Sequence, residues 1–207
     1  MNKKYKLTNK TITIDGHTLY RIKALRDFDD VNTGDYGGYI ETEENLSHEG
    51  NCWVSGDAEV FGNARVLGDA VVFGDAMVFG DAKVFKYAKV YGNAKVFGNA
   101  EVSGYARVFG DAVVRGDAVV RGDARVSGYA NVESNNDYIV VGPIGSRDGY
   151  TTIYRTQDAD SVRIHCGCFN GTPDEFFKKV CETHPQSSVY YKQYTTLVNA
   201  TINILNE

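Results

Sequence analysis

Valine recurs at every sixth position from 54 to 132: Val54, Val60, Val66, Val72, Val78, Val84, Val90, Val96, Val102, Val108, Val114, Val120, Val126 and Val132. Alanine stands four residues after each of the first thirteen, from Ala58 to Ala130. Between them come a glycine and then an aspartate or asparagine, as in Gly56-Asp57 and Gly62-Asn63. The unit reads Val-x-Gly-(Asp/Asn)-Ala-x, an internal repeat of fixed period. A period of six matches neither a helical turn nor the alternation of a long strand. It divides instead into a short strand and a tight corner. Valine favours the strand, alanine fits where faces converge, and Gly-Asp or Gly-Asn supplies the backbone freedom of the corner. Three hexads make one triangular coil of 18 residues. Successive coils then pair as parallel strands about 4.8 Å apart. Residues 54–133 give about four and a half coils, a column roughly 20 Å tall.

One hexad breaks the pattern and orients it. Lys86 occupies a glycine position, followed by Tyr87. A lysine has no place unpaired inside so narrow a prism. The corner therefore points outward, and valine and alanine fill the interior. His48 and Cys52 stand where a valine and an alanine would fall in an earlier hexad, which makes 48–53 a degenerate first turn, of the kind an open β-helix end needs.

The flanks change character. Residues 11–14 alternate, Asp15-Gly16 makes a turn and 19–25 returns, a hairpin signature. Residues 34–38 read as a loop. After Val132 the repeat stops at Ser134-Asn135-Asn136. Strands are expected at 138–141, 151–154 and 162–166. Thr172-Pro173-Asp174-Glu175 is a capping box with proline at the first helical position, so a helix is expected over 173–183 and a second over 188–205. The chain thus divides into a hairpin and cap (1–47), a repeat column (48–136) and a small α+β domain (137–207).

At this point the sequence resembles the hexapeptide-repeat proteins that form left-handed parallel β-helices, over residues 48–136. Their aliphatic residue with a small residue four positions later is the Val-x-x-x-Ala seen here. The resemblance implies a mainly β fold, a left-handed parallel β-helix with an N-terminal β-hairpin cap and a C-terminal α+β domain. The Gly-Asn-Ala and Gly-Asp-Ala flavour is closer to uncharacterised bacterial and prophage repeat proteins than to the hexapeptide acyltransferases. Those proteins carry similar flanks: Leu-Tyr-Arg-Ile-Lys-Ala-Leu (19–25 here), Gly-Asp-x-Gly-Gly-aromatic-Ile-Glu (34–41) and Cys-Gly-Cys-Phe-x-Gly-Thr (166–172).

Composition narrows the function classes. The 207 residues carry 22 Lys and Arg against 27 Asp and Glu, a net charge of -5. That balance argues against broad nucleic-acid binding. No apolar run approaches the roughly 20 residues of a membrane-spanning helix, and no secretory signal follows the first lysines. A cytoplasmic location is expected, the host cytoplasm if the protein is phage-encoded.

Residues flanking each valine face outward, and every eighteenth stacks. One face carries Trp53/Ser55, Val71/Phe73, Lys89/Tyr91, Arg107/Phe109 and Arg125/Ser127. A second carries Glu59/Phe61, Met77/Phe79, Lys95/Phe97 and Val113/Arg115. The third carries Arg65/Leu67, Lys83/Phe85, Glu101/Ser103 and Val119/Arg121. The ladders Phe61-Phe79-Phe97 beside Met77, and Phe73-Tyr91-Phe109, are too apolar to leave wet. One is expected to be a homodimer or homotrimer interface, the other to lie under residues 1–47 or 137–207. Lys89, Arg107 and Arg125 stack on the first face, where they would meet an anion or an acidic partner or remain solvated.

Candidate chemistry is sparse. Acyltransferases of the hexapeptide class use an interface histidine as general base, yet residues 54–133 contain none; His48 is the nearest. His165-Cys166-x-Cys168 and Cys181-x-x-His184 have zinc-ligand chemistry, although unpaired cysteines are often plain core residues. Adjacent-rung Asp57 and Asp75 are the better carboxylates for calcium. No cofactor is expected. The reading is a non-enzymatic, oligomeric binding or scaffold protein, with a protein of the host cell as the expected partner, such as a defence component that it inhibits. The alternatives are a hexapeptide-type acyltransferase, or a protein that sequesters a nucleotide-like ligand between subunits.

Overall fold

The computed structural model describes residues 3–158 and 161–206. The hexads form a parallel β-solenoid of about five turns. Each hexad contributes a short strand, and strands eighteen residues apart pair in register: Val72 lies between Val54 and Val90, and Val96 between Val78 and Val114. Three parallel sheets result, one per side of the prism. The valines and alanines of the repeat are all fully buried. Valine and alanine are therefore packing residues, and the outward corner follows from their burial.

The corners show why glycine is there. Gly92 has φ +70°, and a Cβ at that position would lie 3.0 Å from the backbone nitrogen of Gly110 in the next coil. Lys86 adopts the same left-handed conformation, φ 61°, with its side chain exposed and its Nζ 5.8 Å from the centre of the Phe85 ring.

The column begins earlier than the valine repeat. Ile40 pairs with Val60 and Leu46 with Val66, and both side chains are fully buried. Val54 follows Leu46 by eight positions, two more than a hexad, so the first lap is 20 residues long. The expectation that His48 takes a valine's place is therefore corrected: Leu46 takes it, and the two extra residues displace His48 from the interior. Cys52 does take an alanine's place. It is fully buried, and its N–H donates to the carbonyl of Gly68 at 2.7 Å.

The upper end is closed by the N-terminal segment. The strands Tyr5–Ile14 and His17–Ala24 form the expected hairpin, which extends one solenoid sheet antiparallel through Tyr36–Ile40. Lys4 is fully buried above the first coil. Its Nζ donates to the Cys52 carbonyl at 2.8 Å and lies 5.2 Å from the Phe28 ring centre. Tyr5 donates its hydroxyl hydrogen to the Leu46 carbonyl at 2.7 Å and stacks on His48 at 4.3 Å. The open strand ends are thus satisfied by side chains from the first few residues, as burial of backbone carbonyls requires.

The lower end meets an antiparallel sheet of four strands, Tyr138–Ile144, Gly149–Arg155, Val162–Cys166 and Phe169–Gly171. Helices α1 (Pro173–Thr183) and α2 (Val189–Asn206) pack on one face of it around Ile153, Ile164, Phe176, Val180, Val198 and Leu205. The capping box forms as expected: the Glu175 N–H donates to Thr172 Oγ1 at 3.3 Å, and the Thr172 N–H to Glu175 Oε2 at 2.8 Å. Among the described residues no helix is long and apolar enough to cross a membrane.

Candidate functional site

The ladders form, and they are rigidly stacked. Phe61, Phe79 and Phe97 lie at centroid spacings of 5.0 and 4.8 Å, within 5° of parallel. Phe73, Tyr91 and Phe109 lie at 4.7 and 4.9 Å. The spacing follows from the strand separation, because in-register parallel pairing places identical positions one above another. A third ladder, Tyr87 on Tyr105 at 5.1 Å, runs along a corner and was not singled out from the sequence.

The flanks cover these ladders only at their ends, which corrects the expectation that one of the two lies under residues 1–47 or 137–207. Phe61 is buried in a small cluster with Leu19 and Tyr39 from the hairpin side, with Met77 and Phe79 packed at its margin. Phe97 lies below that cluster and is half-buried. On the first face Phe109 meets His165 of the C-terminal sheet edge-on at 5.7 Å, and Phe73 and Tyr91 remain half-buried. Lys89 and Arg107 are exposed, and Arg125 half-buried. The apolar ladders thus end in wet, partly open stretches in the middle of the column.

The corner asparagines and aspartates serve the turns and one another. Asn63 donates to Asp81, Asn93 to Asp111 and Asn99 to Asp117, each from Nδ2 to Oδ1 at 2.9 Å. Alternating neutral and charged rungs avoids stacking like charges. Asp57 and Asp75 lack that alternation. Burial raises the pKa of Glu59, and the charges of Asp57 and Asp75 raise it further. Arg21 offsets part of that charge, with Nη1 3.4 Å from Asp57 Oδ1. Among the described residues no group of three or more His, Cys, Asp or Glu side chains is placed to hold a metal ion, so the acidic pair does not extend to a calcium site.

The same observation bears on the proposed zinc ligands, which the fold separates. His165 and Cys166 are neighbours in a strand, so they point to opposite sides of the sheet. His165 turns toward the column, and Cys166 packs into the helix-side core. Cys168 and Cys181 are exposed. His184 stacks on Tyr194 at 5.7 Å beyond the end of α1. Strand alternation is the physical reason that adjacency in sequence does not become a shared ligand sphere here.

The junction between the column and the C-terminal sheet holds the densest polar network. Ser127 Oγ lies 3.1 Å from the Tyr154 hydroxyl and 3.4 Å from His165 Nδ1. Asn170 Nδ2 donates to Ser127 Oγ at 2.8 Å, and Tyr154 donates its hydroxyl hydrogen to Asn170 Oδ1 at 3.1 Å. Arg125 donates its N–H to Thr152 Oγ1 at 2.9 Å and its Nη1–H to the Gly167 carbonyl at 3.2 Å. His165 is 7% exposed. Burial first, and then the charges of Arg125 and Arg107, lower its pKa from 6.5 to about 4.

That shift fixes a sign. The folded state keeps His165 neutral between about pH 4 and 6.5, where the unfolded chain takes up a proton. The stabilisation is present above pH 6.5 and is lost as pH falls toward 4, in total about 3 kcal/mol. Urea midpoints between pH 7 and 4 should therefore fall, and the His165→Phe chain should show a flatter profile. Identical profiles would show that His165 does not carry the dependence.

Beside this network lies a cleft of about 320 Å³ lined by Tyr105, Arg107, Asp123, Arg125, Gly149, Tyr150 and Gly167. The stacked basic pair expected from the repeat, Arg107 and Arg125, is in register one coil apart. Tyr150 comes from the C-terminal sheet, and Tyr105 and Asp123 from a corner. The sequence signal for the arginines was the eighteen-residue offset. Nothing in the sequence places Tyr150 beside them, because its position depends on how the domain docks. In comparison with known proteins, no family model and no curated protein matches the chain.

Proposed function

We propose that this chain is a non-enzymatic binding protein that self-associates through the second face of its column and presents the remaining faces to a partner protein. The observation that carries the reading is Phe97, half-buried and stacked on Phe79 at 4.8 Å, which continues the ladder below the cluster whose margin Met77 and Phe79 form. Full burial of an exposed phenylalanine contributes about 1.5–3 kcal/mol, and covering what is still open of these half-buried rings contributes a part of that each. A rigid flat face built from consecutive coils is the kind of surface a second copy can match, since each copy carries the same spacing. The resemblance to hexapeptide-repeat and prophage proteins supports a left-handed β-helix and points to a host-cell protein, such as a defence component held inactive, as the partner.

Light scattering tests the self-association. The wild-type chain should show two or three times the single-chain mass of 22.8 kDa, and Phe97→Asp should return it to one chain with an unchanged unfolding transition. A wild-type chain that stays a monomer at high concentration would remove the interface.

A further inference from the structure

We propose that the cleft between the last coils and the C-terminal sheet binds a nucleoside phosphate, with the phosphate on Arg107 and Arg125 and the base on Tyr150. The cleft lies within one chain, so this inference is independent of self-association. Its volume, about 320 Å³, lies at the lower end of small-molecule sites, about 300–1,000 Å³.

Three features of its lining point to this ligand class. The first is charge: two arginines face one acid, Asp123, on a protein whose net charge is -5. Arg107 and Arg125 belong to paired strands, about 4.8 Å apart along the column, so their guanidinium groups can meet oxygens of one phosphate or of two linked ones. Guanidinium forks match phosphate oxygens in geometry and charge. The second is division of labour. Arg125 is fixed by the Gly167 carbonyl. Among the described residues the Arg107 guanidinium has neither an ion-pair nor a hydrogen-bond partner; only its backbone N–H is bonded, to the Ala124 carbonyl at 2.9 Å, and its charge remains uncommitted. The third is the rim. Tyr105 and Tyr150 are 62% and 44% exposed. Tyr105 already stacks on Tyr87, whereas Tyr150 makes no aromatic stack among the described residues and offers a bare ring to a base. Base–aromatic stacking contributes about 1–3 kcal/mol. Asp123 then accepts hydrogen bonds from ribose hydroxyls or a base amino group.

Isothermal titration calorimetry of the full chain decides it. The probes are ADP, GDP, CDP and UDP, with pyrophosphate and adenosine as separate arms. At least one diphosphate should bind, and more tightly than either arm. Arg107→Gln should weaken that binding about 10-fold or more, the loss expected for a charge-assisted hydrogen bond. Tyr150→Ala should bring the nucleotide down to the affinity of pyrophosphate. Both side chains are at the surface, so the unfolding transitions should match wild type. The Phe97→Asp chain should bind as wild type does, which separates this site from the proposed interface. The inference is overturned if none of the four diphosphates binds, if pyrophosphate binds as tightly as they do, or if Arg107→Gln and Tyr150→Ala leave the affinity unchanged.

Discussion

Val90→Asp is expected to leave no folded column. Val90 is fully buried midway along the prism, with Val72 in the coil above and Val108 in the coil below. A carboxylate there would lose its water and meet only valine and alanine. Burial of an unpaired charge costs several kcal/mol even after the group takes up a proton, and the lost valine contact adds about 2 kcal/mol. Together these approach the whole stability of a typical domain, about 5–15 kcal/mol. Solenoids are held by nearest-neighbour interfaces, so a failed rung in the middle uncouples the coils on either side. Circular dichroism should show loss of the cooperative transition. Val90→Ala is the graded control: it should fold, with stability reduced by about 2 kcal/mol. A Val90→Asp chain that melts like wild type would mean that this side chain faces water.

The second large effect is expected at Tyr154. This side chain is fully buried and belongs to the core of the column, although its strand belongs to the C-terminal sheet. Removing its ring in Tyr154→Ala leaves a cavity at the junction and should cost about 3–5 kcal/mol. Tyr154→Phe keeps the ring and removes only the hydroxyl. Asn170 and Ser127 still bond each other at 2.8 Å, so that variant should cost about 1 kcal/mol. Hydrogen exchange distinguishes where the loss falls. In Tyr154→Ala the amides of residues 125–132, 149–158 and 161–166 should lose protection while those of the central coils keep it. Uniform loss across the chain would instead mean that column and sheet unfold as one unit. No change would mean that the sheet docks without this anchor.

The column could be read from the chain because one residue type repeats at one spacing and burial acts on each copy alike. Val72 over Val54 and Lys86 at an outward corner both follow from that regularity. The ends could not be read in the same way. Ile40 and Leu46 do interior work, but two extra residues before Val54 put them out of phase with the valines. Lys4 closes the top by hydrogen bonds to carbonyls that exist only once the first coil has formed. The same distinction separates the candidate sites. The aromatic and basic ladders are consequences of the eighteen-residue offset, so Phe79, Phe97, Arg107 and Arg125 were legible. Tyr150, Asp123 and Tyr105 meet the arginines through docking and corner geometry, which no local pattern records. The cysteine and histidine cluster failed for a simpler reason: His165 and Cys166 alternate across a strand, and the sheet lies between them.

Both termini of the solenoid fit their caps through particular side chains, Tyr5 at one end and Tyr154 at the other, while every lap between them is nearly interchangeable. Excision or duplication of one complete lap would return each cap to the same side of the triangle, whereas a change of one hexad would rotate the lower cap onto a different side. Genes for such proteins are therefore free to drift in stature by whole storeys without redesigning foundation or roof.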